Sequence, residues 1–270
     1  MLIKNRQHDQ IYIICAKNSY QYVPYPKLTV ITVAFNASKT LERCINSVLS
    51  QQYDNIEYIL IDGGSTDDSA LIFEQYRDRI DVLISEPDNG LYDAMNKGIA
   101  LATGDVIGML NADDFYADES VLSEIAQAFT TGTIDAVYAD LDYIDETDKV
   151  VRKWCAGRYT HGLFNYGWMP PHPTFYCKRE LYRTLNHYSL NYGTAADYEL
   201  MLRFIHINKI KLVYIERILV KMTVGGVSNS SLQNRLNSLR HDLRAMRHNG
   251  IKMPYISLLM KPLRKLKQFL

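Results

Sequence analysis

The chain has 270 residues, 47% of them apolar, with 30 basic side chains against 30 acidic ones. That is enough for one full core with appendages, and the balance excludes whole-molecule attraction to nucleic acid. No uncharged apolar run approaches the roughly 18 residues that span a bilayer, and the cysteines at 15, 44, 155 and 177 are too scattered for a Cys-x-x-Cys motif. With no secretory signal ahead of them, a reduced, cytoplasmic setting is expected.

Residues 1–27 read as a polar, Tyr-rich extension with a short apolar patch at Ile11 to Cys15, closed by Pro24 and Pro26. The unbroken β-branched run Leu28 to Ala34 predicts a first buried strand. Ser38 is placed to cap a helix with Leu41, Ile45, Val48 and Leu49 on one face. The pattern then repeats: strand Glu57 to Ile61, helix from about Thr66 with Asp67 and Asp68 at its positive end, strand Asp81 to Ser85, helix Leu91 to Ala102 closed by Gly104, strand Asp105 to Leu110. Repeated βα units imply an α/β, Rossmann-like, mainly parallel central sheet flanked by helices.

Two of these strands end in acids. Glu57-Tyr-Ile-Leu-Ile-Asp62-Gly-Gly-Ser-Thr-Asp67 and Val106-Ile-Gly-Met-Leu-Asn-Ala-Asp-Asp-Phe115 deliver Asp62, Asp113 and Asp114 to the carboxyl edge, where open α/β sheets bind ligands and a metal-diphosphate would sit. Turn chemistry and helix capping are the competing reading of the same residues.

Downstream come a helix near Ser120 to Thr130, a strand from Ala136 to Tyr143, and an aromatic stretch from Trp154 to Phe175 that reads as binding loops. A helix from Asp197 to Ile207 carries Asp197 and Glu199 in its first turn; Lys211 to Ile215 is a further strand, and Gly225-Gly226 ends the compact domain at 226. The remainder, 227–270, is a basic helical segment. Residues 231–270 hold nine Lys or Arg and one acid, Asp242, a net of +8 against −8 for the rest of the chain. Ile256, Leu259, Leu263, Leu266 and Leu270 form one helical stripe, with Lys261, Arg264, Lys265 and Lys267 as cations lacking a nearby acid. This predicts an interfacial helix drawn to anionic lipid, kinked or restarted at Pro262; a helix packed on the catalytic domain or on a homodimer partner is the alternative.

The ordered set Thr32-Val-Ala-Phe-Asn36, Ile61-Asp-Gly-Gly-Ser-Thr-Asp67, Asp88-Asn-Gly-Leu-Tyr-Asp-Ala-Met-Asn-Lys-Gly98, Asn111-Ala-Asp-Asp114 and Ala196-Asp-Tyr-Glu199 resembles the family 2 glycosyltransferases over about residues 28–226. Within that family it is similar to bacterial enzymes of surface-polysaccharide assembly. The resemblance implies a GT-A fold, a nucleotide-sugar donor (most commonly UDP-linked), a divalent metal, Mn²⁺ or Mg²⁺, and inversion at the anomeric carbon.

Residue by residue, the resemblance implies that Thr32, Ala34 and Asn36 with Asp62 hold the base and ribose. Asp93 and Lys97 on the following helix, with Asp88 and Asn96, become candidate polar contacts to the donor, although Lys97 is equally suited to a solvated surface. Asn111-Ala112-Asp113 occupies the family's DxD position with Asn in place of the first Asp, making Asp113 the principal metal ligand and Asp114 the second. Asp197 becomes the general base, its competing role being a first-turn capping acid, with Glu199 as understudy. His172, in Met169-Pro-Pro-His-Pro-Thr-Phe175, is a contact to diphosphate or acceptor, or a histidine bonded within its turn. Trp168, with Trp154 and Tyr166, is either a sugar-stacking surface or local packing.

The expected activity is transfer of a sugar to a hydroxyl of a glycan or lipid-linked acceptor, at the inner face of the cytoplasmic membrane. Two other readings remain. A nucleotidyltransferase would need a Gly-rich, basic loop after the first strand, where this chain has Ala34-Phe-Asn-Ala-Ser38; a noncatalytic nucleotide- or glycan-binding relative is hinted at by Asn111 alone.

Overall fold

A computed structural model describes residues 25–130, 133–224, 232–266 and 268–269, with backbone only for 232–235, together with three short N-terminal strands. The latter, β1 (Leu2–Asn5), β2 (Gln10–Ile14) and β3 (Tyr20–Tyr22), pair antiparallel in that order. Cys15, Gly225, Gly226, Lys267 and Leu270, to which the sequence assigned roles, lie outside the described residues.

The βα repeats form as their periodicity dictates. Strands β4 (Leu28–Ala34), β5 (Ile56–Asp62), β6 (Val82–Ser85) and β7 (Val106–Met109) lie parallel in the order β6-β5-β4-β7, joined by α1 (Leu41–Leu49), α2 (Ser69–Tyr76) and α3 (Leu91–Leu101). All seven residues of β4 are buried, because both faces of the sheet are covered. Ile31, Val33, Ile59 and Ile61 pack with Met95 and Ile99 of α3 on one face; Val30, Tyr58 and Leu60 pack with Ile45, Val48 and Phe73 on the other. Parallel register sets Ala34 opposite Asp62 and Asp62 opposite Ser85, so three strands end level.

The chain then adds β8 (Asp114–Tyr116), α4 (Val121–Phe129), β9 (Ala136–Ile144), β10 (Val150–Trp154), β11 (Tyr176–Lys178), α5 (Arg179–Leu185), α6 (Ala196–Met201) and β12 (Leu212–Thr223). One nine-stranded sheet results, in the order β6-β5-β4-β7-β11-β9-β12-β8 with β10 on β9. This α/β architecture matches the expected class, but its second half is mixed: β11 runs antiparallel to both β7 and β9, and β12 is parallel to β9 and antiparallel to β8. Strands of three residues carry no periodicity to announce them. β12 outruns the Lys211 to Ile215 strand read from sequence because irregular pairing near Ile218 lets it bend and serve two neighbours. The expected Asp197 to Ile207 helix divides into α6 and a π-helical turn, Leu202–Ile207.

Beyond β12, α7 (Leu232–His248) and α8 (Pro254–Leu266) cover one side of the domain. Pro262 neither restarts nor ends α8: the helix begins at Pro254, a residue suited to a first helical turn, and runs through Pro262.

Candidate active site

The site forms on the carboxyl edge of the parallel strands. Past β7 the chain keeps tracking β4, Leu110 N–H donating to Ile31 O (2.9 Å) and Ala112 N–H to Val33 O (3.2 Å), which brings Asn111 level with the last residues of β4 and Asp113 just past its end. Asp62 lies one strand to the other side, so the acids at this edge span two strand spacings, about 10 Å. Between them Asn36 takes a left-handed backbone (φ 50°), a conformation Asn tolerates. Its amide oxygen accepts from Thr66 N–H (2.8 Å). The Asp88 carboxylate closes over Gly63, where a Cβ would lie 2.5 Å from Oδ2 and would push that side chain aside.

Of the acids after β7, Asp114 is buried and Asp113 half-buried. Burial raises the Asp113 carboxyl above the ordinary carboxylate range, with the His172 charge opposing. Burial and the Asp113 charge push Asp114 up much further, against a hydrogen bond from Asn111. Asn111 Oδ1 and Asp114 Oδ1 are both buried without a hydrogen-bond partner. Orphaned oxygens beside a desolvated carboxylate are the donor set a hard divalent cation seeks, so Asn111, Asp113 and Asp114 fit the Mg²⁺ or Mn²⁺ that the fold implies. Among the described residues no group of three His, Cys, Asp or Glu side chains is placed to hold a metal by itself. A cavity of about 410 Å³ opens over Asp113 and Asp114, and Lys39, Arg43, Asp145 and Asp148 also line it. Arg43 bridges its walls, 2.6 Å from Asp148 and stacked on Phe115.

His172 stands between the two acids that matter most. Pro171 and Pro173 fix its backbone in a 3-10 turn, and Nδ1 lies 4.0 Å from Asp197 Oδ2. Burial lowers the imidazole pKa while the Asp197 and Asp113 charges resist, which ties all three groups into one electrostatic unit. Asp197 opens α6, takes its own neighbour's N–H (Tyr198, 2.7 Å) on Oδ1, and leaves Oδ2 toward His172. The Tyr92 phenol of α3 joins this end of the site, raised by burial and by the Asp197 charge.

Several sequence-derived candidates are engaged elsewhere. Thr32 is fully buried and accepts from Tyr58 Oη (3.1 Å); the strand's period of two puts it on the α1 side with Val30 rather than at a donor. Asp62 accepts from Ser65 N–H (3.1 Å) and Ser85 Oγ (2.6 Å), the turn role weighed for it from sequence. Asp93 accepts from Asn89 N–H (3.0 Å), and Lys97 pairs with Glu86 (2.8 Å), so both brace the 86–90 loop. Asn96 likewise clamps the backbone of Tyr188. Glu199 is buried in a two-pronged pair with Arg203 (3.0 and 2.9 Å), whose remaining donors hold the carbonyls of residues 185–187. Two residues apart on a helix, Asp197 and Glu199 point about 200° away from each other. Trp168 is core: its indole N–H donates to Ala156 O (2.8 Å), and its ring packs on Tyr138, Tyr159 and Phe164.

The sequence reading passed over Phe35, Tyr92 and Arg43. Phe35 leaves its ring 64% exposed where β4 ends; an aromatic one residue past an apolar strand was its signal. Arg43 lies on the polar face of a helix and carries no such signal.

With this geometry in hand, the comparisons with known proteins are direct. The sequence model of Glycosyl transferase family 2 matches residues 29–192. An uncharacterized glycosyltransferase of Mycobacterium tuberculosis is 33% identical over 188 residues, covering 66% of this chain and 68% of its own. A PGL/p-HBAD biosynthesis glycosyltransferase of the same species is 28% identical over 209 residues, covering 76% and 80%. Among solved structures, S. aureus TarS 1-349 in complex with UDP superposes with TM-score 0.66 at 16% identity, over 89% of this chain and 72% of that one. The mannosyltransferase PcManGT from Pyrobaculum calidifontis, in complex with GDP-Man and Mn²⁺, gives 0.64 at 14%, over 88% and 70%. The chain spans 39% of the longer S. aureus TarS chain, to which the likeness is one of fold. The acid edge, the mixed sheet and the family match over most of the catalytic core agree: this chain is a transferase that belongs to Glycosyl transferase family 2.

Proposed function

We propose that the protein is an inverting glycosyltransferase that moves a sugar from a nucleoside-diphosphate donor, most simply a UDP-sugar, to a hydroxyl of a lipid-linked glycan in bacterial surface-polysaccharide assembly. The observation that carries the reading is the Asp113–His172–Asp197 cluster at the carboxyl edge of the parallel strands, within a chain of this family. Nucleotide-sugar complexes of structural neighbours and the biosynthetic name of one relative support it.

In this reading the backbone at Ala34 to Asn36 and the Phe35 ring hold the nucleoside, and Asn111, Asp113 and Asp114 would hold a divalent metal, which would supply positive charge for the diphosphate. Asp197 takes the proton of the acceptor hydroxyl, whose oxygen bonds to the anomeric carbon opposite the breaking carbon–oxygen bond to phosphate. His172, able to hydrogen-bond through its ring nitrogens, steers the diphosphate or the incoming hydroxyl between the two acids. The domain reads as 28–226 with a basic helical segment after it. Work at the inner face of the cytoplasmic membrane suits a lipid-linked acceptor; among the described residues no helix is long and apolar enough to cross a membrane.

The deciding experiment is metal-dependent hydrolysis of a panel of nucleotide-sugars, followed by transfer to isolated lipid-linked glycans. Asp113→Ala should abolish both reactions, while Asn111→Asp, which restores a carboxylate, should be tolerated. Wild-type turnover by Asp113→Ala at limiting Mn²⁺ would overturn the assignment.

A further inference from the structure

The α7–α8 pair holds one large feature that catalysis does not use. Helix α8 docks on the domain through a single face: Ser257 Oγ donates to Phe164 O (2.8 Å), Arg264 Nε to Tyr166 O (2.9 Å), and Lys261 pairs with Asp242 of α7 (2.7 Å) while lying 3.7 Å from the centre of the Tyr198 ring. Gly167, in a left-handed conformation (φ 73°), makes this seat close: a Cβ on it would lie 2.5 Å from the Lys261 backbone nitrogen. The opposite face is left bare. Leu259, Leu263 and Leu266 are 68%, 51% and 62% exposed, with Ile256 and Phe269 beside them. The spacing is helical, so the stripe is continuous.

Beside it, α7 presents Arg240, Arg244 and Arg247, which line an open cavity of about 540 Å³ with Leu243 and His248. Arg247 reaches the hydroxyl of Tyr255 in the first turn of α8, which joins the basic surface to the apolar one. The segment's sole acid, Asp242, is consumed by Lys261, contrary to the expectation that Lys261 stands unpaired. Among the described residues no acid pairs with the three arginines; Arg244 donates to Asn191 O and Arg247 to Tyr255 Oη, both neutral partners.

We propose that this face is a bilayer-docking surface: the α8 stripe enters the headgroup–acyl boundary of an anionic membrane, and the α7 arginine cavity takes lipid phosphates. An apolar stripe rimmed by cations is the combination that an anionic bilayer satisfies on both counts. A second copy of the chain fits poorly, because a two-fold contact would set like charges against each other. The proposal rests on the membrane-side reading above, and adds the surface and the lipid chemistry that would achieve it.

The test uses the full chain and sedimentation with vesicles of phosphatidylcholine alone or with about one-third phosphatidylglycerol. Wild type should bind the anionic vesicles preferentially and be released by salt. Leu259→Ser/Leu263→Ser should weaken binding on the order of a hundredfold. Arg240→Gln/Arg244→Gln/Arg247→Gln should weaken it at least tenfold or so and remove the preference for anionic lipid. Thermal melts and donor hydrolysis run in parallel should be unchanged, since none of these side chains belongs to the site or the core. Equal sedimentation of wild type and variants overturns the proposal; so does a wild-type dimer in sedimentation velocity that the leucine variant dissolves. Wild type that binds anionic vesicles but hydrolyses no nucleotide-sugar would leave this surface standing and overturn only the proposed donor chemistry.

Discussion

Asp113, His172 and Asp197 come from three separate segments to one end of the sheet, His172 Nδ1 lying 4.0 Å from Asp197 Oδ2. Burial lowers the His172 pKa against the pull of the two acid charges, and burial raises that of Asp113. Asp197 is the group whose removal separates chemistry from binding. Asp197→Asn should leave donor affinity, measured by calorimetry with nucleotide and Mn²⁺, nearly unchanged, and lower transfer by roughly 10²-fold or more, the usual loss with a general base. Glu199→Gln should behave differently, lowering the melting temperature through Arg203 while leaving the residual activity per folded molecule intact. Equal kinetic loss in the two variants would return the base role to a shared pair.

Among the elements, β5 is anchored at its start by a buried carboxylate. Glu57 is buried and accepts from Thr29 Oγ1 (2.6 Å), Thr103 N–H (2.7 Å) and Lys27 Nζ (3.1 Å), joining the starts of β4 and β5 to the loop after α3. Burial alone would raise this carboxyl; the hydrogen bonds overcome it and hold the pKa at about 2 instead of 4.5. A folded-state value below the unfolded one adds stability that is complete above the unfolded value and is lost as pH falls through the folded one. Glu57→Gln should therefore cost about 2 kcal/mol at neutral pH, in urea unfolding. The gap from wild type should close between about pH 4.5 and about pH 2.

The same scale shows what can be read in advance. β4 to β7 announce themselves because β-branched runs and helical periods alternate, and Asp113 and Asp197 because acids at strand ends and in first helical turns are placed by the element itself. β8, β10, β11 and α5 span three to seven residues, too short for a period to register. Thr32 and Glu199 were misplaced for a related reason: a motif names the residue, and only strand parity or helical phase says which way it points.

At the scale of the whole molecule, the Lys261–Asp242 pair fastens the C-terminal helices to the catalytic domain. Both side chains are more than four-fifths hidden, and Lys261 covers the ring of Tyr198. Asp242→Asn strands a largely buried ammonium, and should destabilise the chain by about 2 kcal/mol. It should also expose the 250–266 region to protease ahead of global unfolding, whereas Asp242→Glu should recover most of both losses. Unchanged cleavage in Asp242→Asn would mean that apolar packing alone seats α8.

That fastening also sets a height. Tyr198 follows Asp197 directly and lies under Lys261 of α8, so α8, about 10 Å across, separates the Asp197 segment from the bare leucine stripe. A membrane touching that stripe would lie at a constant distance from the reacting oxygen, and the enzyme would carry its own gauge block. A hydroxyl close to its lipid anchor would meet Asp197, while the far tip of a long glycan would overshoot it. Chain length of the acceptor would then be chosen by the thickness of α8 rather than by any pocket that recognises sugars.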